Sequence, residues 1–256
     1  MARPALRSLK YEYEIFVESE IERYKESVPR SVILKIADES VSLLCARAKY
    51  ELQELSLCGE VDRLIRGRLG LPSYESWRRK RLKVIAEYQR PERWGLHPDA
   101  PLVREIRPVA QAHVLVSGGE VVRATLYLAA HGCAVTALDP DADTIDRVVF
   151  AAAPAGLNSL VRARVGALGE WWPDVPLAAV VCTADSLASL NLEQRRQVIM
   201  ALQSATRDGG VHLFEESATG NGPTLEELRV RYTGWSINVE RASGSNLSFV
   251  AKKNAA

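Results

Sequence analysis

The fold is decided by residues 112–139, which read AHVLVSGGEVVRATLYLAAHGCAVTALD. Val114–Val116 is a short continuous apolar run, typical of a strand that is buried on both faces. Glu120–Ala130 carries apolar residues at helical spacing, and a glycine soon after it is a common way for a helix to end. A second apolar run, Ala134–Leu138, is followed directly by Asp139. The stretch therefore predicts a strand, a helix and a second strand parallel to the first.

The turn after the first predicted strand is rich in glycine, with the sequence Ser117-Gly118-Gly119. Glycine allows the backbone to take unusual conformations and to approach a ligand closely. Parallel sheets bind ligands at the carboxyl ends of their strands, and a glycine-rich turn with a carboxylate after the next strand is typical of sites for nucleotide-like ligands. The pattern therefore predicts a ligand site between this turn and Asp139.

Strands and helices continue to alternate towards the carboxyl terminus. Helices are expected at Asp141–Ala153 and Leu192–Thr206, and strands at Leu160–Val165, Leu177–Cys182 and Val211–Phe214. Thr224, with Glu227 three residues later, predicts a capping box at the start of a short helix. Trp235–Arg241 and Leu247–Lys252 alternate apolar and polar residues around a turn, which indicates an antiparallel hairpin. The predicted class is α/β, a doubly wound and mainly parallel sheet with this hairpin at its end.

The sequence before this sheet is predicted to be a separate helical region, residues 1–100, with a linker to about residue 110 and the sheet domain over 110–256. Leu9–Ser27 has an apolar stripe at helical spacing. The same spacing continues to Gly70, with a break expected at Cys58-Gly59. Ser73 is a candidate N-cap for a helix that ends at Tyr88. Four prolines lie in Pro91–Pro108 and predict an extended surface linker.

Composition narrows the class of protein. The chain has 256 residues, of which 47% are apolar and 25% charged, and a net charge of +1, so neither extensive disorder nor a strong overall field is expected. The four cysteines have no paired spacing, which argues against a disulfide framework or a zinc site. No export signal or long apolar segment is visible. A cytoplasmic protein that does not enter membranes is the expectation.

One basic segment stands out, the run Trp77–Lys83 with the sequence WRRKRLK. Clustered cations beside an aromatic ring can pair with phosphates and stack on bases, which would make this segment a contact for RNA or an acidic protein. The other interpretation is a solvated helix face whose apolar side packs inwards. The cations concerned are Arg78, Arg79, Lys80 and Arg81.

The order of these elements resembles the class I S-adenosylmethionine-dependent methyltransferases, and most closely the small-molecule group that includes the tellurite-resistance methyltransferases. The segments that carry the resemblance are LYLAAHGCAVTALD, DGGVHLFEES and TLEELRVRYTGW, within residues 110 to 253. The resemblance implies a seven-stranded sheet and a cofactor, S-adenosylmethionine, across the ends of the first, second and fourth strands.

The resemblance also implies a set of cofactor-binding positions. The family's glycine motif keeps its first glycine as Gly118, whereas Glu120 and Val122 replace the next two and Val116 replaces an acid before them. Asp139 occupies the position of the acid that binds the ribose hydroxyls. The cofactor contacts predicted on this basis are Ser117, Gly118, Gly119, Glu120, Asp139, Leu168 and Thr183. No catalytic residue and no metal ligand is assigned.

Three functions remain open from the sequence. The first is methyl transfer to a small-molecule acceptor, for which Trp171-Trp172-Pro173 could line a pocket or else form an apolar plug. The second is a non-catalytic binding or structural subunit with the methyltransferase fold, in which the helical amino-terminal region contacts a protein partner. The third is an RNA-directed methyltransferase or RNA-binding module that uses the basic segment.

Overall fold

The computed structural model describes residues 8–47, 54–216, 222–241 and 247–254. The chain divides into two compact units, Met1–Val84 and Ile85–Ala256, and each is described separately below.

The first unit consists of helices. They are α1 (Leu9–Ser27), α2 (Arg30–Arg47), α3 (Glu54–Leu69) and α4 (Tyr74–Tyr88), and the division between the units falls within α4. Ser73 caps α4 as predicted, because its hydroxyl accepts a hydrogen bond from the Ser76 amide. The core of this unit is formed by Tyr13, Val17, Ile21, Ile36 and Ile65.

The break predicted at Cys58-Gly59 is wrong, since both residues lie inside α3. A glycine costs a helix about 1 kcal/mol relative to alanine. Apolar residues further along α3, among them Val61 and Ile65, pack into the core of the unit and offset this cost. The connection between α2 and α3, residues 48–53, lies outside the described residues.

The second unit contains the predicted sheet. The first five strands in chain order pair in parallel. Within the described residues the strands are β1 (His113–Ser117), β2 (Ala134–Asp139), β3 (Val161–Val165), β4 (Leu177–Thr183), β5 (Thr206–Glu215), β6 (Ser236–Arg241) and β7 (Leu247–Lys252). Their order is β3-β2-β1-β4-β5-β7-β6, and β7 runs antiparallel to both of its neighbours. The predicted fold class is confirmed, including the hairpin at the carboxyl end.

Helices cover both faces of this sheet. They are α5 (Pro101–Glu105), α6 (Val121–Ala130), α7 (Ala142–Ala155), α8 (Leu192–Ala205) and α9 (Leu225–Arg231), with 3₁₀ turns at Pro91–Trp94 and Ala184–Leu187. Alternate residues of β1 belong to different cores: Val114 and Val116 pack with α6, whereas Leu115 packs in the cluster that includes α8. Because side chains alternate across a strand, this pattern shows a sheet that is buried on both faces.

The segment Pro91–Pro108 is not the extended surface linker that its prolines suggested. It contains the 3₁₀ turn and α5, and Leu102 and Ile106 are buried in the core beneath them. Pro91 and Pro101 each stand in the first turn of their helix, a position where the missing N–H of proline costs nothing.

Within the part of the chain that the structure describes, no helix combines the length and the apolar character needed to cross a membrane.

Candidate functional site

The loop after β1 is fastened to the end of β4. Gly118 has a φ of +97°, and a side chain there would overlap the hydroxyl of Thr183. The next amide, Gly119 N–H, donates a hydrogen bond to Thr183 Oγ1 at 3.2 Å. Only glycine satisfies both requirements at position 118, the positive φ and the close approach. The single glycine that matches the family motif is therefore the one that this geometry requires.

The two positions that lack the family's glycines have ordinary backbone conformations. Glu120 is the N-cap of α6 with a φ of −101°, and the helix begins at Val121. Val121 is buried and Val122 packs against the same core cluster. Gly118 alone thus makes the sharp turn, α6 begins at Val121, and Val122 contributes to the core. Glu120 remains partly exposed and forms an ion pair with Arg123 at 3.3 Å.

A cavity of about 380 Å³ lies beside this loop, and we call it the acidic cavity. Three of the predicted cofactor residues line it: Gly119, Glu120 and Thr183. The end of β5 contributes Glu215, and the segment before α5 contributes Leu96. These last two positions, Leu96 and Glu215, were not predicted from the sequence. The glycine-rich turn after β1 does not indicate them, because Glu215 reaches the cavity through the pairing of β5 with β4 and Leu96 through the packing of the proline-rich segment.

The described residues that line the acidic cavity carry an excess of negative charge. They include one guanidinium, that of Arg123, and the carboxylates of Asp99, Glu120, Asp185, Glu215 and Glu216. Burial raises the pKa of Glu215, and the negative charge of Glu120 raises it further. Across the described residues, no group of three His, Cys, Asp or Glu side chains is placed to hold a metal ion. The excess of carboxylates over cations in this lining favours a positively charged ligand.

A second cavity, of about 350 Å³, shares Glu215 and Glu216 with the acidic cavity. Its other lining residues are largely apolar and come from the end of β5, from α9 and from β7, with Phe214, Leu228 and Phe249 among them. The two cavities thus place an apolar surface and a carboxylate-lined surface on either side of the end of β5. Such an arrangement can accommodate an apolar molecule with a positively charged or proton-donating end.

The other four predicted residues do not line the acidic cavity; Gly118, described above, is one of them. Ser117 is buried at the end of β1, and Leu168 is buried in the core cluster with Leu138. Asp139 ends β2, is 9% exposed, and accepts a hydrogen bond from the Asp141 amide through Oδ1 at 2.9 Å. None of the three lines that cavity. Their assignment to a cofactor stays a prediction.

The basic segment has a structural role on part of its surface. Trp77 stacks on Phe16 with ring centroids 6.1 Å apart and packs in the core of the first unit. Arg81 pairs with Glu12 at 3.0 Å. Arg79 and Lys80 are exposed on the same helix.

Of the aromatic pair after β3, Trp171 packs against a core cluster and Trp172 is 50% exposed.

Comparison with protein families and with characterised proteins found no match at the level of sequence. Solved structures do match. TehB from Haemophilus influenzae aligns over 62% of this chain and 63% of its own, at 19% identity and a TM-score of 0.51. The match thus spans less than two thirds of the TehB chain.

Two further structures are similar at lower scores. A TehB-like S-adenosylmethionine-dependent methyltransferase from Corynebacterium glutamicum covers 71% of this chain and 97% of its own, at 17% identity and a TM-score of 0.48. The glycopeptide N-methyltransferase MtfA, complexed with S-adenosylmethionine, covers 59% and 84%, at 15% identity and a TM-score of 0.46.

The likeness to TehB confirms the fold that the sequence resemblance implied. The α/β unit has the fold of the class I S-adenosylmethionine-dependent methyltransferases. Function is decided by the site rather than the fold, because one fold can serve many chemistries.

Proposed function

We propose that the α/β unit binds S-adenosylmethionine and transfers its methyl group to a small-molecule acceptor. The observation that carries this proposal is the acidic cavity at the carboxyl ends of β1 and β4, which gathers Gly119, Glu120 and Thr183. Ligands of parallel α/β folds bind at such a position, where the strand order reverses on the two sides of β1.

The residues of the cavity fit the charged end of this cofactor. S-adenosylmethionine carries a sulfonium and an ammonium group, and Glu120 and Glu215 offer carboxylates to them. Arg123 supplies a guanidinium for the cofactor's carboxylate. Gly118 keeps the loop clear, since any side chain there would occupy the space of the Thr183 hydroxyl. Asp139 is the proposed ribose contact, and its carboxylate retains acceptor capacity beyond the one bond to the Asp141 amide.

When bound, the cofactor supplies an electrophilic methyl group. The protein's contribution is to position an acceptor, because methyl transfer to a good nucleophile depends mainly on alignment. The apolar cavity beside Phe214 and Phe249 would hold the body of the acceptor. Glu215, whose pKa is raised, would stand at the junction of the two cavities and accept a proton from the acceptor.

Calorimetric titration tests the binding step. We expect S-adenosylmethionine to bind the intact chain, and Glu120→Gln and Glu215→Gln each to weaken binding by about tenfold, since a hydrogen bond to a charged group is worth about 1.5 to 3 kcal/mol. S-adenosylhomocysteine lacks the sulfonium charge and should be affected less by both substitutions. Glu193→Gln, on the exposed side of α8, is the matched control. Absence of saturable heat with the unmodified chain would refute the proposal.

A non-catalytic subunit is the second candidate, and one observation favours it. Asp139 Oδ1 caps its own loop, and the predicted adenosine-side residues do not line the acidic cavity. A chain that failed to bind S-adenosylmethionine but formed a stable complex through residues 1–100 would support this function. The proposed protein partner would then be recognised by the helical region.

RNA binding through Arg78, Arg79, Lys80 and Arg81 is retained as a proposal for the basic segment. Two of these cations are already in ion pairs, Arg81 with Glu12 at 3.0 Å and Arg78 with Glu75 at 3.9 Å. Arg79 and Lys80 would therefore provide most of the contact. A salt-dependent shift of RNA mobility that disappears in the double variant Arg79→Gln/Lys80→Gln is the supporting result.

A further inference from the structure

A cavity of about 380 Å³ lies at the amino ends of the parallel strands, whereas the acidic cavity lies at their carboxyl ends. We call it the basic pocket. The amino ends of β1 and β5 and the segment after α5 form its walls. Lys252 reaches the same end of the sheet because β7 is antiparallel and pairs it with Val211 of β5, which in turn pairs with Ala179 near the start of β4. The two cavities share no lining residue.

Cations dominate the described lining of the basic pocket. Arg104 is already paired with Glu240 and, at 3.4 Å, with Glu105, the one carboxylate among the described lining residues. Arg107, Arg207 and Lys252 are exposed, and within the described part of the chain none of them has an ion-pair partner. Three cations without ion-pair partners among the described residues, around a concavity whose one described carboxylate is paired with Arg104, form a site for an anion.

The floor of the basic pocket is apolar. Val114, Ala179 and Val250 line it and are almost completely buried. Cys133 lies there too, and burial raises the pKa of its thiol to about 11, so the thiol is neutral at physiological pH. A fully hydrated inorganic anion would gain little from this floor. An anion with an apolar body would gain from both the floor and the rim.

We infer that the basic pocket binds a small organic phosphate, with its dianionic group between Arg107, Arg207 and Lys252 and its apolar part on Val114 and Val250. A phosphate monoester fits because its oxygens can accept from two guanidinium groups and one ammonium group together. The concave shape and the small number of cations favour a single small ligand over a nucleic-acid strand, which needs an extended basic track.

Titration with two probes, phenyl phosphate and inorganic phosphate, tests this inference by calorimetry on the intact chain. We expect phenyl phosphate to bind at least fivefold more tightly than inorganic phosphate because of the apolar floor. Arg207→Gln and Arg107→Gln should each weaken phenyl phosphate binding by about fivefold, a modest factor because both side chains are exposed. Arg207→Lys keeps the charge and should recover part of the loss.

The matched control is Arg164→Gln, which removes an exposed arginine from β3 that lines neither cavity. It should leave phenyl phosphate affinity within twofold of the unmodified chain. Absence of saturable binding would overturn the inference, as would equal affinity for the two probes or equal losses in the Arg207 and Arg164 variants. Circular dichroism establishes that each variant is folded. Because the inference uses no residue of the acidic cavity, S-adenosylmethionine binding and phosphate binding can each fail independently.

Discussion

His212 lies in β5 and is completely buried, with no exposed surface. The Thr206 hydroxyl donates to the Leu202 carbonyl at 2.6 Å, so it must accept from His212 Nε2–H at 2.7 Å. The other ring nitrogen, Nδ1, then accepts from the Tyr232 hydroxyl at 2.6 Å. These bonds define a neutral imidazole with its proton on Nε2. The hydrogen-bond partners lie six and twenty residues away, so no local sequence pattern indicates this network.

Acidification should destabilise the protein through this residue. Burial, together with a smaller effect of the nearby Lys253 charge, lowers the pKa of His212 to about 3. In the unfolded chain this histidine takes up a proton near pH 6.5, whereas in the folded state it does not. Its contribution to the free energy of unfolding is therefore complete above pH 6.5 and decreases as the pH falls towards 3. Between pH 7 and pH 5 this residue should remove about 2 kcal/mol from the free energy of unfolding, measured by denaturant titration.

The variant His212→Gln should lose that dependence, although it is also less stable at pH 7. His97→Gln, at an exposed position, should retain the loss seen in the unmodified chain. Glu215 acts with the opposite sign, because a carboxyl whose pKa is raised stabilises the folded state as the pH falls below that pKa. Equal pH slopes for the unmodified chain and His212→Gln would contradict the assignment.

At the scale of elements, the loop between β1 and α6 shows what the sequence could and could not predict. The strand, the helix and the glycine turn were predictable because each has a local signal in residues 112–139. The contact of Gly118 with Thr183 was not, since the two are sixty-five residues apart. It follows from register: β1 and β4 are parallel with Ser117 opposite Cys182, so the next residues of each strand stand side by side.

Replacing this glycine tests the contact. Gly118→Ala would place a Cβ on the Thr183 hydroxyl and require alanine to adopt a φ of +97°. We expect a loss of about 1 to 3 kcal/mol in the free energy of unfolding from backbone strain, with a further loss from the overlap. Denaturant unfolding measures both. The double variant Gly118→Ala/Thr183→Ala should recover only the part that is due to the overlap.

Gly119→Ala is the matched control. No positive φ is found at Gly119, and a Cβ there would meet the Thr183 methyl at an ordinary 3.9 Å. It should be close to neutral in stability. If both alanine variants lost the same stability, the loop would be sensitive to any side chain and the specific role of Gly118 would be wrong.

The net charge of the chain is only +1, yet the two ends of the parallel strands carry charges of opposite sign. Glu120 and Glu215 line the carboxyl edge, while Arg107 and Arg207 line the amino edge. Composition could not predict this separation, because the balance of charges says nothing about their positions. The topology could be predicted, since it depends on the order of apolar runs along the chain. The charged edges arise only when segments distant in sequence, such as 95–107 and 207–216, pack against the same strands.

Each of the two units has its own hydrophobic core, so we expect each to unfold independently. The first unit has its own core around Ile36 and Ile65, while the sheet has separate clusters on its two faces. Ile36 has no exposed surface, so Ile36→Ala should cost about 2 to 5 kcal/mol. We expect native-state hydrogen exchange to lose protection in α1 and α2 but not in β1 or β4. Leu213→Ala, equally buried in β5, should show the reverse pattern. Equal loss of protection across both units in either variant would mean that the chain unfolds as one cooperative body.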